Sequence, residues 1–114
     1  MQYHIFWSSK ALEDLDEVYD FYVTKSILVA VRVYNGILDE VSILVRHPYI
    51  AQVEKLLENC KKPYRSLVVL KGRFKIIYSV EEDRINVARI WSCRRNPKVY
   101  LQYHVWPHIF KEVD

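Results

Sequence analysis

Glycine, proline and cysteine are scarce: two, four and two residues among 114. So little glycine and proline leaves no room for a long flexible linker, and the length suits one domain, residues 1–114. Cys60 and Cys93 lie far apart and show no metal-ligand spacing. Neither a disulfide framework nor a zinc site is expected, and two free thiols fit a cytoplasmic protein. No apolar run approaches the roughly 18 residues that span a bilayer, so no membrane association is expected. The opening MQYHIFW has no basic region and no small-residue cleavage site behind it, so it does not read as a signal peptide. A Gly-rich phosphate loop, a nucleophile elbow and a dinucleotide fingerprint are all missing, as are internal repeats. His104 and His108 stand four apart, but Pro107 lies between them and no carboxylate or cysteine is near. Neither a metal nor a cofactor is expected.

What is present is apolar bulk and an uneven distribution of charge. At 51% hydrophobic and 14% aromatic residues, the chain can bury a substantial core. The net charge of +3 conceals two opposite halves. Residues 1–60 carry five Lys/Arg against nine Asp/Glu, whereas residues 61–98 carry eleven against three. The second half is therefore a basic element, suited to polyanions: nucleic acid or an acidic protein segment.

Hydrophobic periodicity divides the chain in the same place. YHIFW (3–7) reads as a strand. Ser8 or Ser9 is a helix N-cap, and a first helix follows to Val23 with Leu12, Leu15, Tyr19 and Tyr22 on its apolar face. Asp14, Asp16, Glu17 and Asp20 read as a solvated acidic face. After TKS (24–26), with Ser26 as cap, a second helix is expected over 27–46, carrying Val33, Ile37, Val41 and Leu44. His47-Pro48 ends it. Residues 51–60 read as a short third helix. From Tyr64 the period becomes two: strands over 64–70, 73–80 and 85–92, joined by tight turns, make an antiparallel meander. In the last strand Ile85, Val87, Arg89 and Trp91 alternate against Asn86, Ala88, Ile90 and Ser92. Arg89 on a core face requires a carboxylate partner or an edge position. Tyr78, Trp91 and Trp7 read as packing residues, and His4 and His47 as structural or exposed. The expected fold is α+β: a two-helix antiparallel hairpin on one face of a twisted antiparallel sheet of about four strands. Residues 99–114 form an aromatic tail, with a short helix to Val105, that packs on the body or on a partner.

Taken in order, FWSSKALEDL, LVRHPYI, YRSLVVLKGRFKIIYSV and RIWSCRRNP resemble the RelE/ParE superfamily of toxins, over roughly residues 3–100. These are the toxin halves of type II toxin–antitoxin modules, including plasmid stabilisation systems. The N-terminal half is closer to the ParE-like branch, through Trp7, Ser8, Ala11, Asp14 and Leu15 and through His47-Pro48; Ala51 stands where that branch has glycine. The resemblance implies a RelE/ParE-like fold and growth arrest when the toxin is free of its antitoxin. It also implies a hetero-oligomer with a cognate antitoxin whose acidic or amphipathic C-terminal segment wraps the basic sheet and the hairpin.

Two targets follow from the two branches. ParE-like toxins poison DNA gyrase without being enzymes. RelE-like toxins are metal-independent mRNA interferases that cut mRNA within the ribosome. For the second, the matching positions are Lys75 in FKIIY, Arg94 after the last strand and Tyr100 six residues on. Lysine lacks the bidentate fork of arginine, and Pro97 intervenes before the tyrosine. Arg65, Lys71, Arg73, Arg95 and Lys98 complete a candidate nucleic-acid or target-binding set. The same cations suit a rim that holds an acidic antitoxin, since arginine forks bind phosphates and carboxylates alike. No His-Glu or paired-His arrangement supports RNA cleavage away from the ribosome. An inactive basic binding module is a third reading.

Overall fold

The computed structural model describes residues 2–93. The first strand, β1 (His4–Trp7), leads through Ser8 into helix α1 (Ser9–Val23). Helix α2 (Ile27–Val41) follows the break at 24–26, and both helices start on a serine cap: Ser8 Oγ accepts from Ala11 N–H and Ser26 Oγ from Val29 N–H. The remaining strands are β2 (Gln52–Val53), β3 (Arg65–Val69), β4 (Phe74–Glu81) and β5 (Arg84–Ser92). They form one five-stranded sheet in the order β1-β5-β4-β3-β2. The helical hairpin covers one face, so the architecture is α+β.

The sheet is mixed rather than wholly antiparallel. The meander β3-β4-β5 is antiparallel, but β1 runs parallel to β5, with His4 opposite Arg84 and Trp7 opposite Val87. Between the layers lie Ala11, Leu15, Ala30, Val33, Ile37 and Val41 from the helices, and Phe74, Ile76, Tyr78, Ile85, Val87 and Ile90 from the strands. On the other face a smaller cluster of Leu57, Tyr64, Ile77 and Ala88 is roofed by the segment between β2 and β3. Leu12, expected in the stripe of α1, is instead 48% exposed; Ala11 and Asp14 take the buried positions.

Three further expectations are corrected. Helix α2 stops at Val41, and the chain tightens into a single 3-10 turn, Ser42–Val45, which keeps Leu44 in the core ahead of His47-Pro48. The third helix does not form. Its backbone groups are claimed by other elements: Glu54 N–H bonds to Tyr64 carbonyl, and Ala51 carbonyl accepts from Arg65. What results is β2 and a 3-10 turn, Lys55–Leu57, capped by the Glu54 carboxylate on Leu56 N–H. Finally, the alternation of β5 is interrupted. Ile77 pairs with Arg89 but Tyr78 pairs with Val87, so Ala88 is the extra residue of a β-bulge. Ile85, Val87 and then Ile90 reach the main core, and Arg89 does not share a face with Val87.

The bulge lies where β1 ends, so among the described residues β5 beyond Val87 has no strand on its outer side. Helix α1 takes over. Ser8 donates its N–H to Val87 carbonyl and its hydroxyl to Ala88 carbonyl at 2.8 Å. Asp14, read from sequence as part of a solvated face, is buried and accepts Ile90 N–H at 2.9 Å through Oδ2. The Arg89 guanidinium completes the arrangement as a fork, with Nε to Oδ2 at 2.7 Å and a second nitrogen to Oδ1 at 3.0 Å. Asp16, Glu17 and Asp20 remain exposed as expected.

The β3–β4 turn is fastened to α2. Leu70, Lys71 and Gly72 all have positive φ, at 50°, 55° and 88°. Leu70 and Lys71 bear that conformation at a cost, which anchoring must offset. Leu70 N–H donates to Glu40 Oε2 at 2.9 Å, and its side chain sits on Gly36, where an added Cβ would come within 2.9 Å of Leu70 Cδ2. The glycine inside α2 is therefore a notch for the turn.

Two stability predictions follow. Asp14→Ala leaves the Arg89 charge and Ile90 N–H without their partner and is expected to cost about 3–4 kcal/mol, with Asp14→Asn costing less. Chemical denaturation checks this; equal costs would refute a charge-dependent clamp. Gly36→Val should cost about 2 kcal/mol by evicting Leu70, and adding Leu70→Ala should return part of that loss.

Candidate functional site: the cationic end of the sheet

Antiparallel pairing brings the β3–β4 turn and the far end of β5 together. Phe74 lies opposite Ser92 and Lys75 opposite Trp91, and Cys93 N–H donates to Arg73 carbonyl at 2.8 Å. Lys71 and Arg73 are exposed on this turn, and among the described residues neither makes an ion pair. Arg94, Arg95, Lys98 and Tyr100, expected in the same set, lie outside the described residues, as does the aromatic tail. By chain connectivity Arg94 comes directly after the residue bonded to Arg73.

The other two candidates are already engaged. Lys75 Nζ sits 3.3 Å from Glu54 Oε2, and the Glu54 side chain is only 6% exposed. The same carboxylate caps the 55–57 turn through Oε1, so the ion pair joins β4 to the segment that roofs the second cluster. Lys75 also acts on the nearby Cys93 thiol: burial pushes its pKa up, and the lysine charge opposes that push. Arg65 donates to Ala51 carbonyl at 2.7 Å and lies over the Tyr49 ring at 5.1 Å. Beside it the Tyr78 hydroxyl donates to Pro48 carbonyl at 2.8 Å. Burial raises the Tyr78 pKa, while a backbone hydrogen bond from Ala51 and the Arg65 charge lower it. Arg65 and Tyr78 thus hold the loop after His47-Pro48 against the sheet.

The sheet end is flanked by a cleft of about 300 Å³ between α1 and the strand ends. Val18, Phe21 and Tyr22 form one wall, Phe74 and Ile90 the other, with Glu17 and Arg73 also lining it. Farther along the hairpin Ile27, Leu28 and Val31 are exposed, at 66%, 61% and 40%, and Phe21 is half exposed. So much uncovered apolar surface on one hairpin is the mark of an interaction face. Among the described residues no group of three His, Cys, Asp or Glu could hold a metal ion, and no helix is long and apolar enough to cross a membrane.

Sequence reasoning did not find Glu54 or the clamping role of Asp14. For Asp14 the signal was its helical spacing, three after Ala11 and one before Leu15 on the buried side. For Glu54 there was no local signal, because its partner lies twenty-one residues away.

Comparison with known proteins bears on the fold and the family. No curated protein matches the chain. Among solved structures, a chain described as the chromosomal ParDE toxin–antitoxin system from P. aeruginosa superimposes with a TM-score of 0.66 at 23% identity, covering 79% of this chain and 95% of that one. At that identity the likeness speaks for the fold. The model of the ParE toxin of the type II toxin–antitoxin system parDE matches residues 5–97, which takes in both helices, all of the sheet but His4, and the Arg94-Arg95 pair. The chain belongs to the ParE toxin family of type II toxin–antitoxin systems.

Proposed function

We propose that this toxin arrests growth in the ParE manner, by poisoning DNA gyrase, and not by cutting mRNA. The observation that carries this reading is the Lys75–Glu54 ion pair. Metal-free cleavage by a neighbouring 2′-hydroxyl needs cations free to stabilise a pentacoordinate phosphate, together with a proton donor for the leaving oxygen. Lys75 is the only described member of the catalytic set considered above. Its charge is neutralised by a nearly buried carboxylate, and lysine brings no bidentate fork to a phosphate. Lys71 and Arg73, which make no ion pair among the described residues, sit on an outer turn, and Arg94 and Arg95 follow Cys93 in sequence. That arrangement suits a surface that grips a macromolecule more than a convergent catalytic centre. The same surface, with the exposed apolar hairpin, is where a cognate antitoxin bearing an acidic or amphipathic segment would hold the toxin inert, as a cytoplasmic hetero-oligomer.

Inducing the chain alone in bacteria, with and without Arg94→Ala/Arg95→Ala, tests the reading. Labelled thymidine incorporation is expected to fall before labelled methionine incorporation, and the double substitution to abolish the arrest while antitoxin binding persists. Methionine incorporation falling first would overturn the gyrase reading; normal growth with both labels unaffected would leave an inactive binding module. A second variant isolates the ion pair. Glu54→Gln/Lys75→Gln exchanges charges for a neutral hydrogen-bonded pair and is expected to retain growth arrest within about twofold, an energetic change of ~0.4 kcal/mol. An mRNA-cutting toxin would lose most of its activity.

A further inference from the structure

The face of the sheet that the helices leave open carries a separate cavity of about 310 Å³, beside the junction of β1 and β5. It stands at the opposite end of β4 from Lys71 and Arg73, and nothing about it depends on which target the toxin attacks. Ser79 of β4 and Asn86 of β5 are cross-strand partners, and both line it. Ser79 is 1% exposed, yet its hydroxyl finds no hydrogen-bonding partner among the described residues. A buried hydroxyl left in this state lowers stability, and alanine at the same position would avoid that cost. Asn86 adds an amide, which offers both a donor and an acceptor.

One side of the cavity is cationic and flat. The Arg84 guanidinium lies on the Phe6 ring with 4.0 Å to its centroid. Stacking engages the face of the guanidinium and leaves its N–H edges available to an oxyanion. Among the described residues Arg84 makes no ion pair. The other lining charges, Lys62 and Glu81, neutralise one another at 2.9 Å. The cavity therefore combines neutral hydrogen-bonding groups, an aromatic ring and one uncompensated cation. Its volume is at the lower end of the ~300–1,000 Å³ of small-molecule sites, enough for one planar heterocycle with a sugar phosphate.

We propose that this cavity binds a single nucleotide, with the base edge on Ser79 Oγ and the Asn86 amide and the phosphate on Arg84. A free mononucleotide and an unpaired nucleotide within a strand present the same chemistry.

Calorimetric titration of the full chain with the four ribonucleoside monophosphates tests this, with inorganic phosphate, ribose 5-phosphate and a single-stranded octanucleotide as further probes. At least one monophosphate is expected to bind, about tenfold or more tighter than either base-free probe. Ser79→Ala should weaken that binding about fivefold while leaving the thermal midpoint unchanged or raised, because it removes an unpartnered buried hydroxyl. Arg84→Gln should weaken it about tenfold, removing a charge-assisted contact. An octanucleotide binding well above the best monophosphate would identify a strand as the source; equal or weaker binding would identify the free nucleotide. The proposal is overturned if no monophosphate binds at millimolar concentration, if inorganic phosphate binds as well as the nucleotides, or if Ser79→Ala lowers the thermal midpoint without touching affinity.

Discussion

One carboxylate fastens helix α1 to the edge of the sheet. Asp14 reaches from α1 to the part of β5 that β1 does not cover and there satisfies a backbone N–H and an arginine fork at once. Without it, Ile90 N–H and the Arg89 guanidinium would lose their partner. A buried ion pair is often no better than an apolar replacement in net stability. This one is different in kind, because the same oxygen also closes a backbone hydrogen bond that no apolar side chain could close. The docking of the helices and the path of the strand that leads into Arg94 and Arg95 are thereby coupled. Ser8 acts in the same place, capping α1 while bonding to β5.

Four cations of the candidate set divide between two kinds of work. Arg65 and Lys75 are turned inward, one to a loop carbonyl and one to Glu54, and serve the fold. Lys71 and Arg73 are turned outward on a turn that Leu70 and Glu40 fasten to α2. Positive φ at Leu70 and Lys71 is tolerable because that fastening over-determines the turn. The outward pair is therefore presented from a fixed support, which favours recognition of a rigid macromolecular surface at low entropic cost.

Much of this was legible in the sequence because it depends on local periodicity. The bounds of α1, its serine cap, the start of α2 and the three-strand meander follow from spacing and turn residues, and the words around Trp7, Ser8, Asp14 and His47 carried the family. Apart from the early end of α2 and the exposure of Leu12, the features that escaped are non-local. The parallel pairing of β1 with β5 has no local signature. The bulge at Ala88 cannot be seen without the register of β4, so an alternation that looked clean in sequence placed Arg89 on the wrong face. The segment 51–60 has helical propensity, but its backbone groups are claimed by β3 and Arg65. Propensity yields when tertiary hydrogen bonds are on offer.

The pairing of the first strand with the last also orders events in time. Ser8 and Ala88 are joined across 80 residues of sequence. At ~5–20 residues per second of synthesis, β5 follows β1 out of the ribosome by about 4–16 s. Until then β1 has no partner, α1 has no edge to clasp, and the turn that presents Lys71 and Arg73 has no β5 to close against. Closure of the sheet therefore waits on β5, and pairing across so much sequence is slow to form. A chain that stops before β5 therefore lacks the strand on which both β1 and the N-terminus of α1 are fastened.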